Sequence, residues 1–315
     1  MRSSVDIIAA RTRRHPIIRA VGSFAAICLL ATLWWASAPF RGTASSATPT
    51  TALAIHKVQG TSWHPGTNQP VFILVLGSDT RNGPPETDHG RCDAIHILAI
   101  NPQQKAGSII DIPRDSYMTI PGHGQDRINT ACYYGGPEGM VQLIKTLSGI
   151  QVQYYVLTEF SNFMALINEV GGVDVNVPYA MHDPVGSGAN FEPGVQHLDG
   201  GNSLAFCRNR HATPKSDFSR TDNQGQFMLA AFAKFKKEAV DQHRIFDYIK
   251  AAERHTKINV PVGDLINLAL LAEEIDPANI KNLPLEGAIG RAGAASVVFL
   301  DPRDVFTRVK DDGIY

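Results

Sequence analysis

Net charge is almost absent from this sequence, although charged residues are common in it. The chain has 29 Lys and Arg against 30 Asp and Glu, which leaves a formal net charge of -1 at pH 7. It therefore lacks the positive excess that non-specific binding to a phosphate backbone requires. It also contains no zinc-finger spacing, basic-helix pattern or RNA-recognition signature. We predict no nucleic-acid partner.

Cysteine is scarce as well, and the spacing of the cysteines argues against zinc binding. The chain has 4 cysteines, and Cys28 lies inside an apolar stretch. The other three, Cys92, Cys132 and Cys207, show neither CxxC nor Cys/His spacing, which argues against a structural zinc site. An odd number leaves at least one of them unpaired. The sequence leaves two interpretations open: one disulfide beside the polar motifs, or buried small side chains.

The N-terminal region contains one long apolar run. The segment from Ala20 to Ala38 carries no charged residue, and its length is close to the roughly 20 residues that a helix needs to cross a bilayer. The arginines before it are Arg2, Arg11, Arg13, Arg14 and Arg19. By the positive-inside rule, this arrangement predicts an uncleaved membrane helix with a cytoplasmic N-terminus. The alternative is a signal peptide cleaved after Ala38, but Pro39 at the next position disfavours cleavage.

These features divide the chain into four parts. Residues 1–19 are a basic cytoplasmic N-terminus, residues 20–38 a transmembrane signal anchor, and residues 39–54 a flexible tether, of which residues 42–51 are rich in Ser, Thr, Gly and Ala and lack charge. Residues 55–315 form an extracytoplasmic domain, long enough to bury one large core. We therefore expect a single-pass protein of the cell membrane whose folded part lies outside the cytoplasm.

Apolar patterning in the folded part alternates between strand and helix. Short buried-strand runs occupy residues 71–76, ended by Gly77, and residues 94–100, 108–112, 153–157 and 295–300. Helical periodicity marks residues 139–147, 159–170, 222–240 and 264–275. Asp199 is predicted to cap a helix that begins at Gly200. Strands alternating with helices favour an α/β sandwich with a largely buried sheet.

Arginines and aspartates recur in turn-like sequence at the ends of these predicted strands. Asp79 follows the first strand, Arg91 and Asp93 stand just before the second, and Arg114 and Asp115 follow the third. Further along lie Arg208 and Arg210, which converge if the chain is extended there, and then Asp217 and Arg220. Taken singly, each arginine has the simpler interpretation of a solvated surface charge. Together they suit a polyanion held by guanidinium groups and a hard cation held by carboxylates.

The motifs that carry these residues occur in a defined order. They are GSDTR, RCDA, IPRDSY, DRINTACYYGG, HLDGGNSLAFCRNRH and DFSRTDNQ, spread over about residues 71–238. In this order, behind one N-terminal anchor, they resemble the LytR-CpsA-Psr family of Gram-positive cell-wall enzymes. The resemblance implies an α/β/α sandwich with a central mixed sheet and an apolar pocket for a polyprenyl chain.

The resemblance also implies an activity and its residues. It implies an Mg²⁺-dependent phosphotransferase that moves a glycopolymer from a polyprenyl-pyrophosphate carrier to a peptidoglycan sugar hydroxyl, forming a phosphodiester. By motif, Asp79 and Asp93 would hold Mg²⁺. The pyrophosphate would be clamped by Arg91, Arg114, Arg208, Arg210, Arg220 and Gln224, and catalysis would rest on Asp93 with the first four of these arginines. Asp115 is expected to hold Arg114 in place rather than to react.

Two other functions use the same residues. The chain could be a non-catalytic, membrane-anchored binder of lipid-linked polymer, or a polyprenyl-pyrophosphate hydrolase with water as the acceptor. The last motif also departs from the family pattern, which often has Arg at the place of Asn223 and Gln at the place of Gly225.

Overall fold

The fold is seen in a computed structural model, which describes residues 53–61, 63, 67–79, 90–210, 213–215, 217–239 and 241–315. The predicted transmembrane helix and nearly all of the predicted tether lie outside these residues. Within the described part of the chain, no helix is both long enough and apolar enough to span a bilayer. The division at residues 19, 38 and 54 stays a prediction.

A seven-stranded mixed sheet forms the centre of the fold. Its strands are β1 (Leu53–Lys57), β2 (Val71–Asp79), β3 (Arg91–Asn101), β4 (Ala106–Asp111), β7 (Tyr154–Glu159), β12 (Thr256–Asn259) and β13 (Ile280–Pro284). Their spatial order is β12-β1-β7-β2-β3-β4-β13. β2 is parallel to β7 and antiparallel to β3, and β4 is antiparallel to β3 and parallel to β13. The predicted α/β fold with a central mixed sheet is confirmed.

The remaining strands form four two-stranded ribbons. They are β5 (Tyr117–Ile120) with β6 (Gly124–Arg127), β8 (Val173–Val177) with β11 (Gly194–Leu198), β9 (Met181–Asp183) with β10 (Ala189–Phe191), and β14 (Gly287–Ala292) with β15 (Ala295–Leu300). The described helices are α1 (Thr130–Ser148), α2 (Phe160–Glu169), α3 (Gly200–Arg208), α4 (Asp217–Glu238), α5 (Gln242–His255), α6 (Val262–Glu274) and α7 (Arg303–Asp312).

Apolar side chains point alternately to the two faces of the sheet along the central strands, so each face has its own hydrophobic core. Leu74 and Leu76 of β2 pack in a cluster with Met140 and Ile144 of α1 and with Phe306 of α7. The intervening positions face the other way, as Val71 and Ile73 of β2 do, toward Leu229 and Phe232 of α4 and Leu271 of α6. Successive side chains of a strand point to opposite faces, so both faces of these strands are apolar and both are covered by helices.

Several predicted boundaries are wrong by a few residues, with local causes. β2 does not end at Gly77 but continues to Asp79 across an irregularity in its pairing with β3 between Gly77 and Ser78. β3 starts at Arg91, so Arg91 and Asp93 lie inside the strand rather than before it. Helix α1 begins at Thr130 rather than near residue 139, because the chain is already helical before a kink at Gly136, where φ is 63°.

Candidate functional site

One edge of the sheet gathers most of the residues expected in the site. β2, β4 and β7 all run toward this edge, and β3, which is antiparallel to β2 and β4, starts from it. Asp79 ends β2, Arg91 begins β3 and is paired with Asp79, and Glu159 ends β7. Arg114 follows β4 after Pro113. Groups that are distant in the sequence are therefore brought together by strand direction.

A cavity of about 290 Å³ opens between this part of the sheet and helices α2, α3 and α4. Its apolar wall is formed by Val75, Ala94, Phe160, Phe163, Leu204, Phe227 and Met228. Its charged lining has four arginines, Arg114, Arg208, Arg210 and Arg220, and three carboxylates, Asp93, Glu159 and Asp183. One cavity thus combines an apolar wall with a polar lining in which arginine exceeds carboxylate by one charge.

Arg114 is held in the cavity by a neighbouring carboxylate. Its Nη1 donates to Asp93 Oδ2 at 2.7 Å, and both side chains are about three-quarters buried. Burial alone would lower the pKa of Arg114, but the carboxylates of Asp93 and Asp115 raise it above its usual value. The guanidinium group therefore stays charged and held in one place, which suits recognition of a phosphate oxygen.

Asp115 lies between two arginines, as expected of a supporting residue. Its Oδ1 accepts from Arg127 Nη1 at 3.3 Å, and its Oδ2 is 3.8 Å from Arg114 Nε. The expected contact between Asp115 and Arg114 is therefore present. Asp115 is not among the residues that line the cavity.

Arg220 belongs to the first turn of α4 and is almost fully buried, at 5% exposure. It forms an ion pair with Asp217 one turn earlier in the same helix. Burial raises the pKa of the Asp217 carboxyl and lowers the pKa of Arg220, and the attraction between the two charges opposes both shifts. Because a guanidinium group stays protonated even when buried, Arg220 supplies a positive charge to the cavity lining.

Arg208 and Arg210 both line the cavity, as expected of two arginines that converge. Arg208 is the last residue of α3, Arg210 follows beyond the helix end, and Asn209 between them has an extended backbone with φ -64° and ψ 126°. The guanidinium carbon of Arg208 lies 5.0 Å from the centre of the Phe160 ring, within the range of a cation-π contact. The expected extended backbone is therefore present at Asn209, whereas Arg208 itself is helical.

For two of the predicted site residues, the structure gives no contact with the cavity. Arg91 is exposed and is not among the residues that line the cavity. The backbone of Asp79 is next to that of Arg91, but the side chain of Asp79 lies outside the described residues. Their assignments to pyrophosphate and to Mg²⁺ stay predictions.

Asp93 meets the chemical requirement for a hard cation. Its Oδ2 is bound by Arg114, while its Oδ1 has a long contact of 3.5 Å from Asn129 Nδ2, which leaves lone pairs for another ligand. Within the described residues, no group of three or more His, Cys, Asp or Glu side chains could hold a metal ion. Mg²⁺ is often bound by one or two carboxylates together with phosphate oxygens and water, so one carboxylate in the cavity is compatible with it.

A disulfide between Cys92 and Cys132 ties β3 to the first turn of α1, with 5.8 Å between the two Cα atoms. This answers the pairing question that the sequence left open, and among the described cysteines Cys207 is the one with a free thiol. Cys92 directly precedes Asp93, and Asn129, which contacts Asp93, directly precedes α1. The disulfide therefore braces the backbone on either side of the Asp93 carboxylate.

The structure also places three titratable residues in the cavity that were not predicted, Glu159, His96 and Asp183. Glu159 lines it from the end of β7, and His96 lines it from the middle of β3. The signal for His96 was present in the sequence, since a histidine interrupts an otherwise apolar strand, AIHILAI. A lone polar residue in such a run must find a buried partner, and here the partner is Asp111.

The two departures from the family pattern have structural explanations. Asn223 is buried at 1% exposure, hydrogen-bonds the hydroxyl group of Tyr179, and is not part of the cavity lining. A Cβ atom on Gly225 would lie closer than 3.0 Å to Asn282 Oδ1 and Asp111 Oδ2. The position of Gly225 is therefore filled by the side chains of β13 and β4, and a larger residue there would displace them.

Comparison with known proteins agrees with this arrangement. The LytR_cpsA_psr family model matches residues 40–311. A polyisoprenyl-teichoic acid–peptidoglycan teichoic acid transferase TagU from Bacillus mycoides (strain KBAB4) is 35% identical over 202 residues, which cover 64% of this chain and 64% of that protein. The TagU from Oceanobacillus iheyensis is 37% identical over 167 residues, 51% of this chain and 50% of that protein. The chain thus spans between half and two thirds of these curated relatives.

Solved structures share the fold over more of the chain. TagT bound to LIIa-WTA has a TM-score of 0.64 at 26% identity, with 81% of this chain and 93% of that chain covered. A LytR-CPS2A-psr family protein, YwtF (TagT), with bound octaprenyl pyrophosphate lipid has a TM-score of 0.60 at 25% identity, with the same coverage.

Proposed function

Since the chain belongs to the LytR-CpsA-Psr family, we propose that it is a phosphotransferase that moves a glycopolymer from a polyprenyl-pyrophosphate carrier to a peptidoglycan sugar hydroxyl. The observation that carries this proposal is the cavity. Phenylalanines and aliphatic side chains form one wall of it, and arginines lie in its polar lining. A lipid with a prenyl chain and an anionic head group matches both parts of this cavity, the chain against the apolar wall and the head group against the arginines.

The relatives support the same substrate class. A structural neighbour binds octaprenyl pyrophosphate, and the curated relatives are named as transferases that act between polyisoprenyl-linked teichoic acid and peptidoglycan. We place the apolar chain of the carrier against Phe160, Phe163 and Phe227. The pyrophosphate then lies at Arg114, Arg208, Arg210 and Arg220 with Gln224, and Arg91 adds a charge from the exposed start of β3.

In the reaction, the acceptor hydroxyl attacks the phosphorus atom attached to the sugar. The bond from that phosphorus to the bridging oxygen breaks, and polyprenyl phosphate leaves. The hydroxyl gives up its proton to solvent or to the departing phosphate, and a phosphodiester to the wall remains. Phosphoryl transfer asks the protein mainly for positioning and charge stabilisation. Arg114, fixed by Asp93, and Arg220, fixed by Asp217, are ordered before the substrate arrives, so they stabilise developing charge with little reorganisation.

Mg²⁺ bound at Asp93, with Asp79 as the second expected carboxylate, would supply further neutralisation of the pyrophosphate. Among the described residues, the cavity lining has four arginines against three carboxylates. This near balance suits an anion that arrives together with its own cation. Residues 20–38 would hold the enzyme at the cell membrane, with the cavity on the extracytoplasmic side, where both lipid-linked polymer and peptidoglycan are found.

The test uses the purified full-length chain in detergent, with a sugar linked to polyprenyl pyrophosphate, Mg²⁺ and peptidoglycan fragments. Release of polyprenyl phosphate and formation of the conjugate are both measured. We expect Arg114→Ala and Asp93→Ala to lower the rate by roughly 100- to 1000-fold, the effect of removing a preorganised charge. The matched control is Arg303→Ala, because Arg303 pairs with Asp301 on the exposed surface.

The alternative functions give different results in the same assay. Binding of the donor without release of polyprenyl phosphate would identify a binder. Equal release with and without acceptor, and no conjugate, would identify a hydrolase. If Arg114→Ala and Asp93→Ala behaved as Arg303→Ala does, the assignment of the cavity as the active site would be wrong.

A further inference from the structure

His96 has no role in the proposed reaction, although it is buried in the wall of the cavity. It lies in β3 directly opposite Asp111 of β4, and its Nδ1 is 2.6 Å from Asp111 Oδ1. The two side chains are 2% and 0% exposed. Burying such a pair carries a desolvation cost that an apolar pair at the same positions would avoid. Stability alone therefore does not account for the His96–Asp111 pair, and its hydrogen bonds to other groups have to be considered.

The other nitrogen of the imidazole is next to a residue that lines the cavity. His96 Nε2 is 3.2 Å from Oε1 of Gln224, and Gln224 also lines the cavity. On its other side, Gln224 Nε2 donates to the backbone carbonyl oxygen of Cys207 at 2.9 Å. The carbonyl oxygen of Cys207 accepts only, so it fixes which end of the Gln224 amide is nitrogen. Oε1 must then face His96.

This arrangement determines which nitrogen of His96 donates to Gln224. Oε1 of Gln224 can only accept, so the hydrogen bond requires Nε2 of His96 as its donor. Nδ1 of His96 is hydrogen-bonded to Oδ1 of Asp111 at 2.6 Å. Asp111 therefore completes the hydrogen bonding of the imidazole and holds the ring in the orientation that directs Nε2 at Gln224.

A glutamine side chain can present either of two opposite groups to a ligand. Its nitrogen donates and attracts an anion, whereas its oxygen accepts and repels one. Rotating the amide by half a turn exchanges its oxygen and its nitrogen. The exchange costs little free energy unless neighbouring groups favour a donor at one position and an acceptor at the other. In this cavity the donor His96 and the acceptor Cys207 carbonyl both favour the same orientation. Oε1 is thereby turned to His96, and Nε2 has a second N–H beyond the one that it donates to the Cys207 carbonyl oxygen.

We propose that His96, held by Asp111, is a positioning residue that fixes the Gln224 amide so that the cavity offers a phosphate oxygen a donor rather than an acceptor. This inference rests on the proposed function and deepens it, because it assigns the hydrogen-bond polarity of the head-group site. The expected ligand is the pyrophosphate of a polyprenyl carrier. His96 acts only through Gln224 and does not contact the reacting atoms.

The test is a double-mutant cycle on binding. The probe is geranylgeranyl pyrophosphate with Mg²⁺, titrated calorimetrically into the full-length protein in detergent. The variants are His96→Phe, which has no donor, Gln224→Ala, and the two combined. We expect each single variant to weaken binding roughly 10- to 100-fold, the usual effect of losing a hydrogen bond to a charged group. The double variant should bind no more weakly than Gln224→Ala, because His96 then has nothing to position.

Two further variants separate positioning from a general structural effect. His96→Gln restores a donor near the place of Nε2 and should recover most of the affinity. The matched control is His197→Phe, because His197 on β11 makes the same kind of pair with Asp174 at 2.7 Å but is exposed. It should bind as the wild type does. If His96→Phe does not fold, His96→Asn, whose side chain is too short to reach Gln224, takes its place in the cycle.

The outcomes distinguish this inference from the proposed function. If the wild type binds the probe and the substitution at residue 96 weakens binding by the same factor with and without Gln224, or not at all, His96 does not act through Gln224 and the inference is wrong. If the wild type itself does not bind the probe, the proposed head-group site is wrong, and the inference falls with it.

Discussion

The replacement Gly225→Ala has two opposite effects on the free energy of unfolding, one from helix propensity and one from packing. Gly225 lies inside helix α4, and alanine is favoured over glycine in a helix interior by about 1 kcal/mol. The new Cβ, however, would lie closer than 3.0 Å to Asn282 Oδ1 and to Asp111 Oδ2. Neither atom can move freely, because Asn282 donates to Asp222 at 2.8 Å and Asp111 is fully buried against His96.

The magnitude follows from these contacts. Overpacking of a dense interior costs about 1–3 kcal/mol, and disturbing a buried hydrogen bond costs about 1–3 kcal/mol more. Against a gain of about 1 kcal/mol from helix propensity, we expect a net loss of about 3 kcal/mol in the free energy of unfolding. The packing effect should therefore prevail, and the protein should become less stable although its helix has become intrinsically better.

Urea unfolding, followed by circular dichroism, measures this difference. The matched control is Gly263→Ala in helix α6, where an added Cβ would have no atom within 4 Å. That variant should be unchanged or more stable by up to about 1 kcal/mol. A Gly225→Ala protein at least as stable as the wild type would show that Asp111 and Asn282 can yield, and would refute the packing argument.

The remaining predictions concern a disulfide and a helix N-cap. Replacing both Cys92 and Cys132 by serine opens a loop with a sequence separation of 40 residues and should lower the free energy of unfolding by about 4 kcal/mol on a chain-entropy basis. A reducing agent should shift the urea midpoint of the wild type but not that of the double variant, and a shift in both would exclude the disulfide as the cause. Asp199→Ala removes the N-cap of α3, where the carboxylate accepts from Asn202 N at 2.8 Å, and should cost about 1 kcal/mol. Asp199→Asn should retain most of that stability in the same urea titration, and equal losses in the two variants would argue against capping.

Much of the fold could be predicted because it depends on short stretches of chain. The apolar runs that became β2, β3 and β4 are recognisable by themselves, and Asp199 caps α3 through a hydrogen bond to a residue three positions away. Boundaries were less accurate where the backbone is irregular, as at the kink of α1 at Gly136. A left-handed glycine inside a helical pattern has no distinct periodicity to mark it.

The arginines of the site were found from the sequence because they recur in ordered motifs, but of their partners only Asp115, beside Arg114, was predicted. That Arg114 is held by Asp93, that Asp115 is shared with Arg127, and that Cys92 bonds to Cys132 are all properties of contacts between separate elements. Asp217 and Arg220 are one helical turn apart, so their pairing could have been inferred once the start of α4 was known.

The sequence by itself determined the family, the alternation of strands and helices, and the stock of arginines and carboxylates, because each of these can be detected along the chain. Only the tertiary structure decided which of those residues share a cavity. The reason is strand order: β2 is next to β7 and β13 is next to β4, although long stretches of sequence separate the members of each pair. Those adjacencies bring Glu159 to the sheet edge and Asn282 to Gly225. The register between β3 and β4 places His96 opposite Asp111, which makes them a buried pair beside Gln224.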